Sequence, residues 1–217
     1  MKVINLGETS SILNSYVAQL RDKDFQKDSH RFRTNLQRLG QIFAYEISKT
    51  LHGESLSVTT PLGIASLQVP DEKVVVATIL RAGLPLHDGI LNCFDSAENA
   101  FVAAYRKYDS EGEFHIHTEY CTCPELEGKT LILADTMLAT GSSVQVAYEV
   151  LCNEGGTPGK LHLVCPFASA QAVENLKKTM PADSTLWVAA IDPELTNHSY
   201  IVPGLGDAGD LCYGPKL

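Results

Sequence analysis

Thr140, Gly141, Ser142 and Ser143 set three hydroxyls around one glycine, directly after the run Leu131-Ile132-Leu133-Ala134-Asp135-Thr136-Met137-Leu138-Ala139. Small hydroxyl residues at a helix start serve as caps, accepting bonds from its first amides. The same arrangement also makes an anion cradle. Unpaired N–H groups, the positive end of the helix dipole and the hydroxyls of Thr140, Ser142 and Ser143 can converge on one phosphate. Asp135, closing an apolar run, is then placed to accept hydrogen bonds from neighbouring hydroxyls of the same ligand. Arg81, in Ile79-Leu80-Arg81-Ala82-Gly83, and Arg106, after Tyr105, also end apolar runs. Their forked donors suit phosphate oxygens, surface salt bridges being the plainer use of such side chains.

Gly204-Leu205-Gly206-Asp207-Ala208-Gly209 matches the dinucleotide-binding pattern G-x-G-x-x-G by letter. That fingerprint requires a strand before it, a helix after it and an acidic residue about 20 positions on. Pro203 precedes it here and eight residues follow Gly209, so no such unit fits. These glycines instead let the backbone approach a ligand or turn sharply. A P-loop is excluded too, because Leu161 follows Gly159-Lys160 and Glu154 stands where its first glycine belongs.

These residues need a scaffold, and the hydrophobic pattern supplies one. Ile12, Leu13, Tyr16, Val17 and Leu20 share a helical stripe, as do Phe32, Leu36, Leu39, Phe43 and Ile47 in a second segment stopped by Gly53. Thr60-Pro61-Leu62-Gly63 marks a hairpin turn. Continuous apolar runs at 74–80, 100–105, 130–135, 161–165 and 186–191 predict buried strands, with helices between them at 142–152 and 171–180. The fold class is therefore α/β: a mostly parallel central sheet flanked by helices, with an N-terminal helical segment and, over 106–128, a protruding hairpin or lid. Ligands of such sheets collect at the carboxyl ends of the strands.

With 44% hydrophobic and 20% charged residues, a chain of 217 residues can bury a full core, which excludes a disordered protein and fits one domain over 1–217. The formal charge of -9 makes nucleic acid and anionic membranes poor partners. A basic patch at Arg31, Arg33 and Arg38 would be the exception; a solvated helix face is the preferred reading. No apolar stretch reaches spanning length and no secretory signal opens the chain, so a soluble, cytoplasmic protein is expected. The six cysteines read as free thiols. Cys121 and Cys123 alternate with His115 and His117, but this spacing fixes no tetrahedral metal geometry.

The stretch from Asp135 to Ser143 resembles the phosphoribosyl pyrophosphate loop of the type I phosphoribosyltransferases. With Ile79-Leu80-Arg81-Ala82-Gly83-Leu84, Tyr105-Arg106 and the segment from Tyr200 to Asp210, essentially the whole chain resembles the uracil phosphoribosyltransferase family. The family loop usually has Pro at the place of Thr136 and Gly at that of Ser142, and Leu211 replaces a residue that is usually basic. The resemblance implies conversion of uracil and phosphoribosyl pyrophosphate to UMP and pyrophosphate, with Mg²⁺ bound mainly through the substrate and water. It implies Asp135, Arg81, Arg106 and Asp207 as catalytic residues. The sugar phosphate falls to these and to Thr136, Met137, Leu138, Ala139, Thr140, Gly141, Ser142 and Ser143, and uracil to Ile201, Gly206, Asp207 and Ala208. Self-association and a GTP effector belong to the same implication. A regulatory protein on this scaffold, binding UMP or RNA, is the alternative.

Overall fold

The computed structural model describes residues 1–108 and 114–215. It opens with β1 (Lys2–Asn5), followed by α1 (Ile12–Arg21) and α2 (Ser29–Ser48). Asp28 caps α2 by accepting from the amides of His30 and Arg31. The strands β2 (Gly53–Thr60) and β3 (Gly63–Pro70) form the expected hairpin, exposed along nearly all its length. Next come β4 (Val74–Ile79), α3 (Leu84–Leu91), β5 (Glu98–Tyr108) and β6 (Phe114–Thr122). The second half runs β7 (Thr130–Ala134), β8 (Met137–Leu138), α4 (Ser142–Gly155), β9 (Lys160–Val164), β10 (Phe167–Ser169) and α5 (Ala170–Thr179). It ends with β11 (Thr185–Val188), β12 (Ala190–Asp192), β13 (Glu194–Leu195), β14 (Ile201–Val202) and α6 (Ala208–Tyr213).

Seven strands make the central sheet in the order β1-β11-β9-β7-β4-β5-β6, parallel throughout except for the antiparallel β5–β6 pair. Side chains alternate across a strand, and both faces here are apolar. Val75, Ala77, Leu131, Leu133, Leu161 and Leu163 point into one layer with α4 and α5. Val74, Val76, Ile132, Ala134, Val164 and Trp187 point into the other, packed by α1, α2, α3 and α6. All five residues of the second predicted helical stripe, Phe32 to Ile47, are buried in this second layer.

The runs at 130–135, 161–165 and 186–191 do not continue as single strands. Each breaks and then resumes in a small parallel sheet of order β12-β10-β8, which repeats the order β11-β9-β7. Pro166 is the physical cause at the middle strand: it has no N–H, and its carbonyl accepts from both Ala189 and Ala190 at 3.0 and 2.9 Å. At β7 the break falls on Asp135, which therefore sits at a strand end instead of within a ladder.

Of the three arginines expected on a solvated helix face, Arg33 is the one drawn inward. Arg33 donates to the Cys212 carbonyl at 2.6 Å and lies over the Tyr213 ring, while Arg38 donates to Asn35 and lies over Tyr16. Arg31 and Arg38 are both exposed, Arg31 facing Asp28 at 3.8 Å, and Arg33 is half-buried. The six cysteines are free. The side chains of Arg106, His115 and His117 lie outside the described residues.

Candidate active site

Three segments converge on one pocket of about 400 Å³ at the carboxyl ends of the strands. The end of β4 brings Arg81; the break after β7 brings Asp135, Thr136, Met137 and Ala139, with Ser143 from α4; the C-terminal segment brings Ile201, Gly206, Asp207 and Ala208. The mid-chain loop and the glycine-rich tail thus meet, as the sequence reading requires. A larger groove of about 960 Å³ lies at the opposite, amino ends of the strands, where Asp71, Glu72, Asp95 and Glu98 make an unsuitable lining for phosphate.

The pocket floor is fixed from behind. Ser169 donates to the Ala139 carbonyl at 2.6 Å and also accepts from Ala172 N, capping α5. Asn175 donates to the Thr140 carbonyl at 3.1 Å. These bonds draw the loop carbonyls towards α5. At the start of α4, Gly141 is the N-cap in a left-handed conformation and has no side chain to cap the helix; the Ser142 amide donates to Thr140 Oγ1 at 3.3 Å, and the next two amides have no intrahelical acceptor. The Thr140 and Ser142 hydroxyls lie 2.6 Å apart and bond to each other. Leu138 is buried in the core, and Thr140, Gly141 and Ser142 stand outside the pocket lining.

Asp135 combines placement with an unusual charge state. Burial pushes its carboxyl from 3.8 up to about 7, against the opposing pull of the Thr136 and Met137 amides. The Thr136 amide donates to Oδ1 at 2.7 Å. Beside it, burial and the Asp135 carboxylate raise the Cys165 thiol well above its ordinary value, so that thiol stays protonated.

On the other wall, Arg81 Nη2 reaches the Asp210 carboxylate and the Gly214 carbonyl, both at 3.4 Å, while its Nε is buried without a partner. Such long contacts leave the guanidinium available for a stronger acceptor. Asp207 caps α6 by accepting from Asp210 N at 3.0 Å. Gly204 and Gly206 have φ of +53° and +97°, and a Cβ at Gly204 would meet the Ile201 carbonyl at 2.1 Å. The glycines of the false dinucleotide motif are thus turn residues.

His198, Ser199 and Tyr200 also line the pocket. The sequence reading passed over His198 and Ser199. They belong to the loop between β13 and β14, two-residue strands too short to show a hydrophobic period, where the Thr196 amide donates to the Tyr200 carbonyl at 2.8 Å.

A parallel sheet whose strands break in step beneath a hydroxyl-rich helix start makes this a type I phosphoribosyltransferase. The solved AQ2163 protein from Aquifex aeolicus follows the same chain path, with a TM-score of 0.83, 29% identity and 98% of each chain covered. Residues 8–215 match the family described as uracil phosphoribosyltransferase. A uracil phosphoribosyltransferase of Porphyromonas gingivalis is 54% identical over all of both chains, and one of Thermococcus gammatolerans is 36% identical over 97% of this chain and 92% of its own. This chain belongs to the uracil phosphoribosyltransferase family. It is an enzyme that converts uracil and phosphoribosyl pyrophosphate to UMP and pyrophosphate. Among the described residues, no helix is long and apolar enough to cross a membrane.

Proposed function

We propose that the pocket carries out this transfer with the phosphoribosyl group lying along residues 135–143 and uracil held against Ile201 and Gly206 to Ala208. The observation that carries this reading is the meeting of Arg81, Asp135, Ser143, Ile201 and Asp207 in one cavity. The 5-phosphate takes the amides at the start of α4. Asp135 accepts from the ribose hydroxyls, and Arg81 with Arg106 takes the pyrophosphate oxygens.

Breaking the anomeric C–O bond leaves positive charge on the ribose ring and negative charge on the departing pyrophosphate. Catalysis therefore consists of holding the sugar still and meeting the leaving group with fixed positive charge. Arg81 can move from its long contact with Asp210 to the developing anion. Asp207, one oxygen bonded to Asp210 N, keeps the other for the ligand. A magnesium ion that stays largely hydrated and borrows phosphate oxygens fits this donor set. Among the described residues no three His, Cys, Asp or Glu side chains converge into a cage. Such an ion supplies additional charge neutralisation on the pyrophosphate when bound with the substrate.

Uracil is neutral, and its edge alternates carbonyl and N–H groups, which backbone groups of Ile201, Gly206 and Ala208 can match. Cytosine presents an amine in place of one carbonyl and leaves a donor facing a donor. Turnover with uracil but not with cytosine, orotate or hypoxanthine is the expected result; comparable rates with two of these bases would overturn the base assignment.

The chain is proposed to act as one domain over 1–217, supported by the pairing of β1 with β11 in the same sheet, and a cytoplasmic location is proposed with it. Self-association belongs to this reading and is supported by the β2–β3 hairpin, whose Leu62 and Ile64 are 100% and 80% exposed. Light scattering that reports a lone chain would refute it. A GTP effector rests on the family resemblance, and UMP formation measured with and without GTP tests it.

A further inference from the structure

Arg21 ends α1 and Asp192 ends β12, yet the two meet in a forked ion pair, with Nη2 to Oδ1 at 2.7 Å and Nη1 to Oδ2 at 2.9 Å. The same Nη1 donates to the Gly204 carbonyl at 2.9 Å, and the Gly204 amide donates to Asp192 Oδ2 at 3.1 Å. Both backbone groups of one glycine are thus held by one ion pair. The guanidinium also lies over the Phe167 ring at 5.0 Å, and the two side chains are only 22% and 7% exposed. Neither residue lines the pocket.

Gly204 stands between Ile201 and Gly206, in the turn that joins the two groups assigned to the base. Beyond Pro203 the turn has two glycines at positive φ, positions whose own preferences do little to fix its shape. A neutral base contacted by backbone groups exerts no charge that could draw the turn into place. Its peptide groups must therefore be set before the base arrives.

We infer that Arg21 and Asp192 are positioning residues that set the uracil half of the pocket by clamping Gly204. This rests on the assignment of Ile201 and Gly206 to Ala208 to uracil. It connects the N-terminal helical segment, remote in sequence, with specificity for the base. The clamp uses two nitrogens of one fork on two oxygens of one carboxylate, which lysine cannot reproduce.

The test is steady-state kinetics on the full chain, varying each substrate separately. The double variant Arg21→Met/Asp192→Leu removes both charges, so no unpaired ion remains buried. Its KM for uracil should rise about tenfold or more, with the KM for phosphoribosyl pyrophosphate within about twofold. Arg21→Lys should give a smaller rise of the same kind. Unchanged uracil KM in a folded double variant overturns the inference, as do equal rises in both KM values. Should the double variant not fold, Arg21→Lys decides by the same criterion. Gly206→Val separates the two levels. If it leaves uracil KM unchanged, the base assignment itself fails; if it raises uracil KM while the Arg21 and Asp192 variants do not, only the clamp fails.

Discussion

Replacing Asp135 by Asn should stabilise the folded protein while disabling it. Burial raises the carboxyl from 3.8 to about 7, so the folded state binds a proton more tightly than the unfolded chain does. Asp135 therefore contributes a loss of native stability as pH rises from 3.8 to about 7. Fully expressed, that rise corresponds to ~4 kcal/mol. Asn keeps an acceptor for the Thr136 amide and carries no charge to desolvate, so most of this penalty disappears. Urea unfolding at pH 8 should show the variant more stable by ~2–4 kcal/mol, a midpoint shift on the order of 1 M. At pH 5 the difference should shrink to ~1–2 kcal/mol, because Asp135 is then largely protonated in the native state. Turnover should meanwhile fall by about 10² or more, since the amide presents a donor where the ribose hydroxyls require an acceptor. A variant less stable than the parent at pH 8, or an advantage equal at both pH values, would refute the reasoning.

The buried His162 acts on stability in the opposite sense. Burial lowers it from 6.5 to about 4, and its Nδ1 accepts from the Trp187 indole at 3.1 Å. The unfolded chain binds the extra proton first, so His162 contributes a loss of stability as pH falls from 6.5 to about 4. His162→Gln should flatten that part of the stability profile by up to one proton, and an unaltered slope would contradict the assignment. Ser169→Ala should free the Ala139 carbonyl and uncap α5. A loss of ~1–3 kcal/mol in chemical unfolding and a higher KM for phosphoribosyl pyrophosphate than for uracil are expected; a selective effect on uracil would show that the loop serves the base.

The central strands were legible because residues buried on both faces form unbroken apolar runs, as at Val74–Ile79 and Thr130–Ala134. The same continuity hid the breaks. Leu186 to Ile191 reads as one strand, and only the two amides shared by the Pro166 carbonyl reveal the division at Ala189. The first four strand residues, Lys2–Asn5, are too few to carry a period and join the sheet through pairing with β11. The helix at Leu84–Leu91 contains Pro85, His87 and Gly89, a poor helical pattern that tertiary burial overrides. At the site, Asp135 and the hydroxyl cluster are legible because their chemistry is local. The Arg21–Asp192 clamp joins residues 171 positions apart, which no single-sequence pattern encodes.

The alternation of neighbouring strand residues between two separate cores has a consequence for how such a protein changes over time. Val75 and Val76 are adjacent in sequence but answer to different sets of helices. Substitutions on the α4–α5 side can accumulate and compensate one another without consulting the helices across the sheet, because non-contacting sites act additively. Lineages can thus remodel one half of the interior while the opposite half stays as it was.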